Sequence, residues 1–380
     1  MKLRSVLLVS ASAAILATTA VAQSSMSLKQ AFKPDFPIGA AMNAWQIMGQ
    51  NKKEDAIIVS QFDSISPENA LKWEVVHPEP GKYNFKLSDA YVAFGQKHHM
   101  WIVGHTLVWH SQVPAWVFRH KDGKLLTRDE LLKRMRDHIF TVVGRYKGRI
   151  QSWDVVNEAL NDDGTLRKCL WEKIIGPDYI AKAFEYAHEA DPKAQLTYND
   201  YNLAYPAKRD ALIALVKKLK AEGVPIDCIG MQMHVNLTSP TAQQVDEAIT
   251  DYAKLGVKVD VSEMDVDVLP QATMHQTANV NVRAAANPKL NPYTHGLPAS
   301  VQNELTQRYA SLFKVFLKHR TVMSRVTLWG VTDADSWKNN WPVPGRTNYP
   351  LLFDRAGKPK PAYYAVIREA EAVNAGHSAH

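Results

Sequence analysis

The stretch IQSWDVVNEALN, from Ile150 to Asn161, begins like a buried β-strand and ends in polar residues. Its β-branched and aromatic residues are typical of a strand. The run nevertheless ends in Asn157 and Glu158, and carboxylates are rarely buried without a partner. In a parallel sheet, functional side chains gather where the strands end. This pattern therefore predicts a strand that carries a buried functional carboxylate at its carboxyl end.

Seven further strand-like runs occur in the chain, separated by longer amphipathic segments. The predicted strands are FPIGAAM (36–42), FDSISP (62–67), WIVGHTLV (101–108), IQSWDVV (150–156), QLTYND (195–200), CIGMQMHV (228–235), VKVDVSEM (257–264) and RVTLWGV (325–331). The predicted helices cover 87–99, 127–146, 179–190, 207–223 and 301–320. Thr127 and Glu130 form a capping-box pattern, and Gly223 stands where a helix would end.

Alternating strands and helices indicate an α/β fold with a parallel sheet, and eight strands are enough to close a barrel. We therefore expect a single (β/α)₈ TIM barrel with its active site at the C-terminal ends of the strands. No linker, repeat or low-complexity segment divides the chain. We assign residues 23–375 to this one domain and 376–380 to a tail.

Residues 1–22 have the layout of a secretory signal peptide. Lys2 and Arg4 precede an apolar run, and Ala20-Val21-Ala22 resembles a small-residue cleavage site. The run contains Ser and Thr and is shorter than the ~20 apolar residues of a membrane span. We expect cleavage after Ala22, secretion to the periplasm or the exterior, and no membrane association afterwards.

Charge and cysteine content exclude several alternatives. Loss of Lys2 and Arg4 changes the formal net charge from +7 to +5, and the remaining Lys and Arg are interspersed with acids. A nucleic-acid-binding protein would concentrate them in a stripe, so we expect no such partner.

Cys169 follows a predicted strand and Cys228 begins another. They should lie at opposite ends of the barrel, so we expect two free, partly buried thiols. We also expect a monomer.

Polar and aromatic residues cluster at seven consecutive predicted strand ends. Taken singly, a strand-end Glu is more often a helix cap, a lone His a satisfied core residue, and a Trp a packing residue. Their repetition around one mouth favours a functional site. The residues are Glu68, Asn69, Lys72, His105, Trp109, His110, Gln112, Asn157, Glu158, Asn199, Asp200, Tyr201, Asn202, Gln232, His234, Glu263, Asp265, Trp329 and Trp337.

The motifs of metal and cofactor enzymes are missing from the sequence. It contains no HExxH or CxxC metal motif, no GxGxxG dinucleotide motif and no GxSxG nucleophile elbow. We expect no cofactor and no catalytic metal. The segment 271–300, rich in Asn, Pro and Ala, is an unusually long loop that leaves from a strand end at the expected active site.

Glu158 and Glu263 lie three predicted strands apart in a ring of eight, so they should face each other across the mouth. Paired carboxylates flanking a glycosidic bond are the equipment of glycoside hydrolysis. Trp rings can stack on sugars, while Asn, Gln, His and Lys can bind hydroxyl groups. This combination favours a carbohydrate substrate.

Seven segments resemble the signature segments of glycoside hydrolase family 10, the endo-1,4-β-xylanases. They occur in the family's order and cover the chain from about Phe36 to about Tyr363. They read SPENALKWE, GHTLVWHSQVPAW, WDVVNEAL, GMQMHV, VDVSEMDV, LWGVTDADSW and PLLFD. The segment 271–300 departs most from the family, which affects the binding sites for the leaving group.

The resemblance implies a role for each matching residue. Glu158 would be the general acid/base and Glu263 the nucleophile. Asn157 would bond the 2-hydroxyl of the attacked sugar, Gln232 would support Glu158, and His234 and Asp265 would form a hydrogen-bond chain with Glu263. The non-reducing side would be held by Glu68, Asn69, Lys72, His105 and Trp109, with Gln112 nearby. Trp329 and Trp337 would cover the reacting sugar, and Tyr201 and Asn202 would face the leaving group.

The function so implied is retaining hydrolysis of internal β-1,4 bonds in xylan or xylo-oligosaccharides through a covalent glycosyl-enzyme. Two alternatives are a retaining barrel glycosidase for cellulose or mixed-linkage glucan, and a barrel that only binds xylan. Xylose lacks the hydroxymethyl arm of glucose, and a bulky Trp329–Trp337 cover suits the smaller sugar. Binders that have lost activity usually lack a catalytic carboxylate, and this chain retains both.

Overall fold

The computed structural model describes residues 26–272 and 283–377. The predicted signal peptide, residues 1–22, lies outside the described residues, as do 378–380 of the predicted tail. Gly376 and His377, which the sequence analysis placed in the tail, belong to the last helix.

Eight parallel strands close into a barrel, as predicted. β1 to β6 pair in sequence order, β6 pairs with β8, β8 pairs with β9, and β9 pairs with β1, which completes the ring of eight. β7 is a short ninth segment that pairs with β8. The strands are β1 (Ile38–Met42), β2 (Ser64–Pro67), β3 (Trp101–Trp109), β4 (Ser152–Asn157), β5 (Gln195–Asp200), β6 (Cys228–Met231), β7 (His234–Asn236), β8 (Lys258–Asp267) and β9 (Met323–Leu328).

One predicted strand is not continuous in the structure. The run 228–235 forms two segments, β6 and β7, because Met233 has a φ of 62° and interrupts the extended backbone. β7 pairs with residues 265–267 at the C-terminal end of the long strand β8. Gln232 therefore lies in the break and His234 at the start of β7. Trp329, predicted within the last strand, follows directly after β9.

Helices connect the strands around the outside of the barrel. The capping box of Thr127 and Glu130 is present at the start of α6, and Gly223 with φ 74° follows the end of α9, both as predicted. The helices are α1 (Leu28–Ala31), α2 (Ala44–Ile47), α3 (Lys52–Gln61), α4 (Trp73–Val76), α5 (Lys86–Lys97), α6 (Arg128–Arg145), α7 (Leu170–Ile175), α8 (Tyr179–Ala190), α9 (Pro206–Ala221), α10 (Ala242–Ala253), α11 (Ala299–Lys318) and α12 (Pro361–His377). Short 3₁₀ helices cover Ala115–Phe118, Pro288–Leu290 and Trp337–Asn339. No helix within residues 26–272 and 283–377 is long and apolar enough to span a membrane.

The apolar core lies between the strands and the helices, while the barrel interior contains a buried polar group. Arg325 in β9 is 1% exposed, and its Nη1 lies 2.8 Å from Oδ2 of Asp260 in β8. The same guanidinium donates to Ser152 and lies 3.8 Å from Oδ1 of Asp154. A buried arginine requires such partners because an unpaired buried charge is costly.

Both cysteines are free, as predicted. Cys228 is fully buried in β6, and Cys169 is half-buried before α7. Burial raises the pKa of both thiols. Neither thiol lines the cavity described below.

Gly104 in β3 offers a test of how tightly the barrel packs. It is paired with Trp153 in β4, and a Cβ at this position would overlap the buried indole ring. We expect Gly104→Ala to lower the free energy of unfolding by roughly 1–3 kcal/mol, the usual cost of overpacking. Chemical denaturation of the two proteins measures this difference.

The matched control is Gly144→Ala on the exposed face of α6, where no atom lies within 4 Å of an added Cβ. Alanine should stabilise that helix by roughly 0.5–1 kcal/mol. Equal effects of the two substitutions would contradict the tight contact between β3 and β4.

Candidate active site

A cavity of about 900 Å³ opens at the C-terminal ends of the strands. Every site residue predicted by resemblance lines it, with one exception: Asp265 lies behind His234. The cavity therefore brings together side chains from β3, β4, β7 and β8 and from the loops that follow the strands, as expected for a barrel of this type.

Glu158 follows the last residue of β4 and is 8% exposed. Its φ of 58° lies in the left-handed region, which non-glycine residues adopt at a cost and usually at functional positions. Trp109 Nε1 donates to Oε2 at 3.0 Å and Gln232 Nε2 donates to Oε1 at 3.0 Å. All side-chain hydrogen-bond partners of this carboxyl are neutral groups.

Glu263 is 5% exposed and lies in the middle of β8. Asn199 Nδ2 donates to its Oε1 at 2.7 Å, and His234 Nε2 lies 3.1 Å from its Oε2. His105 Nδ1 lies 4.0 Å from Oε1 of Glu263, and it lies 2.9 Å from Oδ2 of Asp154. The three side chains named here, Asn199, His234 and His105, are thus donors or potential cations.

The predicted hydrogen-bond chain from Glu263 through His234 to Asp265 is present. His234 Nδ1 lies 3.0 Å from Asp265 Oδ2, opposite its contact with Glu263. Burial alone lowers the pKa of His234, but Asp265 and Glu263 outweigh it and raise the pKa to about 9. His234 is therefore a cation at neutral pH.

The pKa of Glu263 lies below its usual value. Burial alone raises it, but the hydrogen bond from His234 and the nearby charge of His105, together with the other donors, outweigh that effect. Glu263 is consequently ionised at neutral pH, whereas Glu158 has no charged hydrogen-bond partner in the same cavity. The two carboxyls lie in different electrostatic environments, which is how enzymes divide acid and nucleophile roles.

One wall of the cavity consists of residues that follow β2 and β3. Lys72 Nζ donates to Asn69 Oδ1 at 3.0 Å and to Gln112 Oε1 at 2.7 Å, and lies 4.9 Å from the centre of the Trp109 ring. Burial lowers the pKa of Lys72, opposed chiefly by Glu263 and Glu68. These polar groups bind one another and face the space where a ligand would lie.

Tryptophans form the roof. Trp329 lies edge-on to His105 with ring centres 5.4 Å apart, and Trp337 Nε1 donates to Asp265 at 2.7 Å. Trp341 stacks on Trp337 at 4.9 Å, and Lys338 Nζ lies 4.5 Å from the Trp337 ring centre. Trp341 and Lys338 are not among the residues predicted from the sequence, although Trp341 follows Trp337 at a spacing that could have indicated a stacked pair.

Tyr201 and Asn202 line the opposite side. Arg167, which was not predicted from the sequence, donates to the Tyr201 hydroxyl at 2.9 Å and to the backbone carbonyl of Glu158 at 2.8 Å. It thereby connects this wall to the backbone that holds Glu158. No sequence motif marks Arg167, since it lies in an irregular loop between β4 and α7.

The described part of the 271–300 segment contributes to the same cavity. Gln271 and Arg283 line it. Ala284 N donates to Pro342 O at 2.8 Å, and the Tyr349 hydroxyl donates to Tyr293 O at 2.7 Å, so the segment packs against the loops after β9. Residues 273–282 of this loop lie outside the described residues.

The fold and the site together define a class of protein. A closed (β/α)₈ barrel holds two buried carboxyls in one cavity, surrounded by amides, imidazoles and tryptophans that suit a hydroxyl-rich ligand. This is the arrangement of a glycoside hydrolase.

The comparisons with known proteins identify the family. The model of glycosyl hydrolase family 10 matches residues 27–369, and the chain belongs to that family. "Endo-1,4-beta-xylanase A" of Xylanibacter ruminicola is 44% identical over 354 residues, 93% of this chain and 96% of the relative. "Endo-1,4-beta-xylanase" of Geobacillus stearothermophilus is 40% identical over 343 residues, 90% of this chain and 98% of the relative.

A solved GH10 endoxylanase retrieved from a sugarcane soil metagenome superposes with a TM-score of 0.87. It is 46% identical, and the match covers 90% of this chain and 99% of that one. Both the barrel and the family predicted from the sequence are thus confirmed.

Proposed function

We propose that this chain is a retaining endo-1,4-β-xylanase that cleaves xylan by double displacement, with Glu263 as nucleophile and Glu158 as general acid/base. The enzyme class follows from membership of family 10 and from relatives that carry this name over at least 90% of the chain. The observation that carries the mechanism is the asymmetry of the two carboxyls. Glu263 is kept ionised by His234 and His105, while the hydrogen-bond partners of Glu158 are all neutral.

In the first step, ionised Glu263 attacks the anomeric carbon while protonated Glu158 donates its proton to the departing glycosidic oxygen. The bond between the sugars breaks, and an ester forms between the sugar and Glu263. The carboxylate charge of Glu263 disappears in this ester. Glu158, now an anion, is no longer next to a second negative charge.

In the second step, Glu158 takes a proton from water, which attacks the same carbon from the side that the leaving group vacated. The ester breaks, Glu263 regains its charge and Glu158 its proton. Two inversions at one carbon retain the β configuration. Asn199 and His234 hold the Glu263 carboxylate on its axis of attack throughout.

The roof over the site favours xylose over glucose. Trp329 is 7% exposed and packs against His105, and Trp337 is tied to Asp265. A hydroxymethyl arm on the reacting sugar would need space beneath these rings. We therefore propose xylan and xylo-oligosaccharides as substrates rather than cellulose or mixed-linkage glucan.

Reducing-sugar release from birchwood xylan and from carboxymethylcellulose at equal mass concentration tests the substrate class. Xylan should be hydrolysed at least tenfold faster, with oligosaccharides rather than only monomers appearing early. Faster cleavage of the cellulose derivative, or early release of xylose alone, would contradict the proposal.

His234 should set the acidic limb of the pH profile. His234→Asn removes a cation and a hydrogen-bond partner from Glu263, so the pKa of Glu263 rises toward its usual value. Because only ionised Glu263 attacks, the acidic limb of kcat/KM should move to higher pH. A full kcat/KM profile from pH 3 to pH 8 measures the shift.

The matched control is His120→Asn, since His120 is half-exposed and pairs with Glu130 at 3.3 Å outside the cavity. Its acidic limb should coincide with that of the unmodified enzyme. An unshifted limb in His234→Asn would show that His234 does not govern the ionisation of Glu263.

We further propose that the enzyme is secreted. The support is the basic, apolar and small-residue layout of residues 1–22. N-terminal sequencing of protein recovered outside the cytoplasm should begin at Gln23. A chain that starts at Met1 in that fraction would refute cleavage.

A further inference from the structure

Trp45 differs from every other tryptophan of the chain. All ten lie within the described residues, and Trp45 alone is exposed, with 66% of its surface accessible. The others are buried or half-buried. An exposed indole ring is a large apolar surface in water, and such surfaces often mark binding sites.

The backbone beneath Trp45 is fixed. Trp45 is the second residue of α2, and its N–H donates to the Asn43 side chain at 2.9 Å. Gln46 completes a capping box with Asn43 and donates to the buried Glu54 at 2.5 Å. The backbone that carries the ring is thus held by hydrogen bonds, which lowers the entropic cost of stacking a ligand on the ring.

Helix α2 lies next to the cavity rim, because the segments before and after it contact cavity-lining residues, although no residue of α2 itself lines the cavity. It follows β1, whose last residue Met42 accepts a hydrogen bond from the backbone N–H of Glu68 at 2.9 Å. Glu68 and Asn69 line the end of the cavity that we assign to the non-reducing side. Glu68 thus contacts the backbone of Met42, and Trp45 is three residues after Met42 in the sequence.

The same corner is tied to the roof. Asn51 Nδ2 donates to Asp335 at 3.5 Å, and Thr332 donates to Glu54 at 2.6 Å. Asp335 lines the cavity next to Trp337. Met48, one turn after Trp45 and 40% exposed, widens the apolar surface on the same side of the helix.

We propose that Trp45 is a stacking platform for a further xylose unit of the substrate chain, beyond the unit held by Glu68 and Asn69. This inference rests on the proposed function. A xylan chain that leaves the cavity past Glu68 would pass α2 next, since α2 follows the strand whose last residue contacts Glu68. A xylose ring is uncharged and offers an apolar face of C–H groups, which matches the apolar face of an exposed indole ring.

A protein partner fits this surface poorly. Trp45 and Met48 are two side chains, whereas a stable protein interface buries roughly 800 Å² on each partner. The continuity with the cavity rim favours the substrate chain itself.

The test compares kcat/KM of Trp45→Ala on xylohexaose and xylotriose. Truncation of an aromatic anchor typically costs more than 1 kcal/mol, so kcat/KM on xylohexaose should fall roughly 5- to 20-fold. Xylotriose, which fills two units on the non-reducing side and one on the other, should be cleaved within twofold of the unmodified rate. Trp45→Phe, which retains an aromatic face, should recover most of the loss on xylohexaose.

The position of cleavage provides a second readout. With xylohexaose labelled at its reducing end, Trp45→Ala should cut closer to the non-reducing end, because one binding unit there is lost. A structural role alone would not move the cut.

Equal losses on both substrates, no loss on xylohexaose, or an unchanged cleavage position would each overturn the inference while leaving the proposed function intact. An unmodified enzyme that cleaves neither xylan nor xylohexaose would instead overturn the proposed function itself.

Discussion

Replacing Glu263 with alanine should reduce kcat on xylan by roughly 10⁴- to 10⁶-fold, the usual consequence of removing a nucleophile. No other carboxylate near the reacting position receives the same donors: Asn199 at 2.7 Å and His234 at 3.1 Å both aim at Glu263. The variant should fold, since the interior packing of the barrel is unaffected. Steady-state kinetics and circular dichroism measure the two effects.

A small anion should partly restore turnover in Glu263→Ala. Azide can occupy the space left by the carboxylate and attack an activated aryl β-xylobioside from that side. One inversion then gives an α-glycosyl azide. The matched control is Glu222→Ala at the end of α9, outside the cavity, which should retain full activity. Appreciable xylan cleavage by Glu263→Ala, or a β-azide product, would contradict the assignment of the nucleophile.

Replacing Glu158 with alanine should reduce kcat on xylan by roughly 10²- to 10⁴-fold, the range for loss of a general acid/base. The loss should depend on the leaving group, because a dinitrophenolate departs without a proton. With a dinitrophenyl xylobioside, the first step should remain fast and the second slow. A burst of phenolate equal to the enzyme concentration should therefore precede a slow steady state.

The configuration of the azide product distinguishes Glu158→Ala from Glu263→Ala. In Glu158→Ala the glycosyl-enzyme still forms on Glu263, and azide enters from the side that Glu158 occupied. Two inversions then give a β-glycosyl azide, the opposite of the Glu263→Ala product. If Glu158→Ala lost activity equally on xylan and on the dinitrophenyl substrate, Glu158 would not be the acid.

Much of the barrel is predictable because its signal is local. The alternation of apolar runs and amphipathic segments gives β5 (Gln195–Asp200) and α8 (Tyr179–Ala190) with the bounds observed. Capping chemistry places the start of α6 and the end of α9. Polar residues at strand ends predict the cavity, because parallel strands in a closed barrel all end on one face.

What the sequence does not predict depends on backbone dihedrals and on contacts between distant loops. The break between β6 and β7 arises at Met233, whose positive φ has no signal in a methionine. The positive φ of Glu158 is equally invisible. Arg167 reaches the Glu158 carbonyl from an irregular loop, and its partners become apparent only when β4 and β5 are side by side.

Exposure is also hidden from the sequence. The sequence does not show which of the ten tryptophans are exposed, and the usual interpretation of a tryptophan is a packing residue. Strand-end position and family resemblance indicate Trp329 and Trp337, but only the fold shows that Trp45 is exposed. The roles of Asn199 and Asp154, which hold Glu263 and His105, likewise follow from strand register rather than from composition.

The most direct test of two carboxyls acting on one anomeric carbon is the stereochemistry of the first product. Proton NMR during hydrolysis of xylo-oligosaccharides should show the β-anomer of the new reducing end appearing first, with the α-anomer rising only at the rate of mutarotation. An α-anomer that accumulates before mutarotation would mean a single inversion, and direct attack by Glu263 would then be excluded.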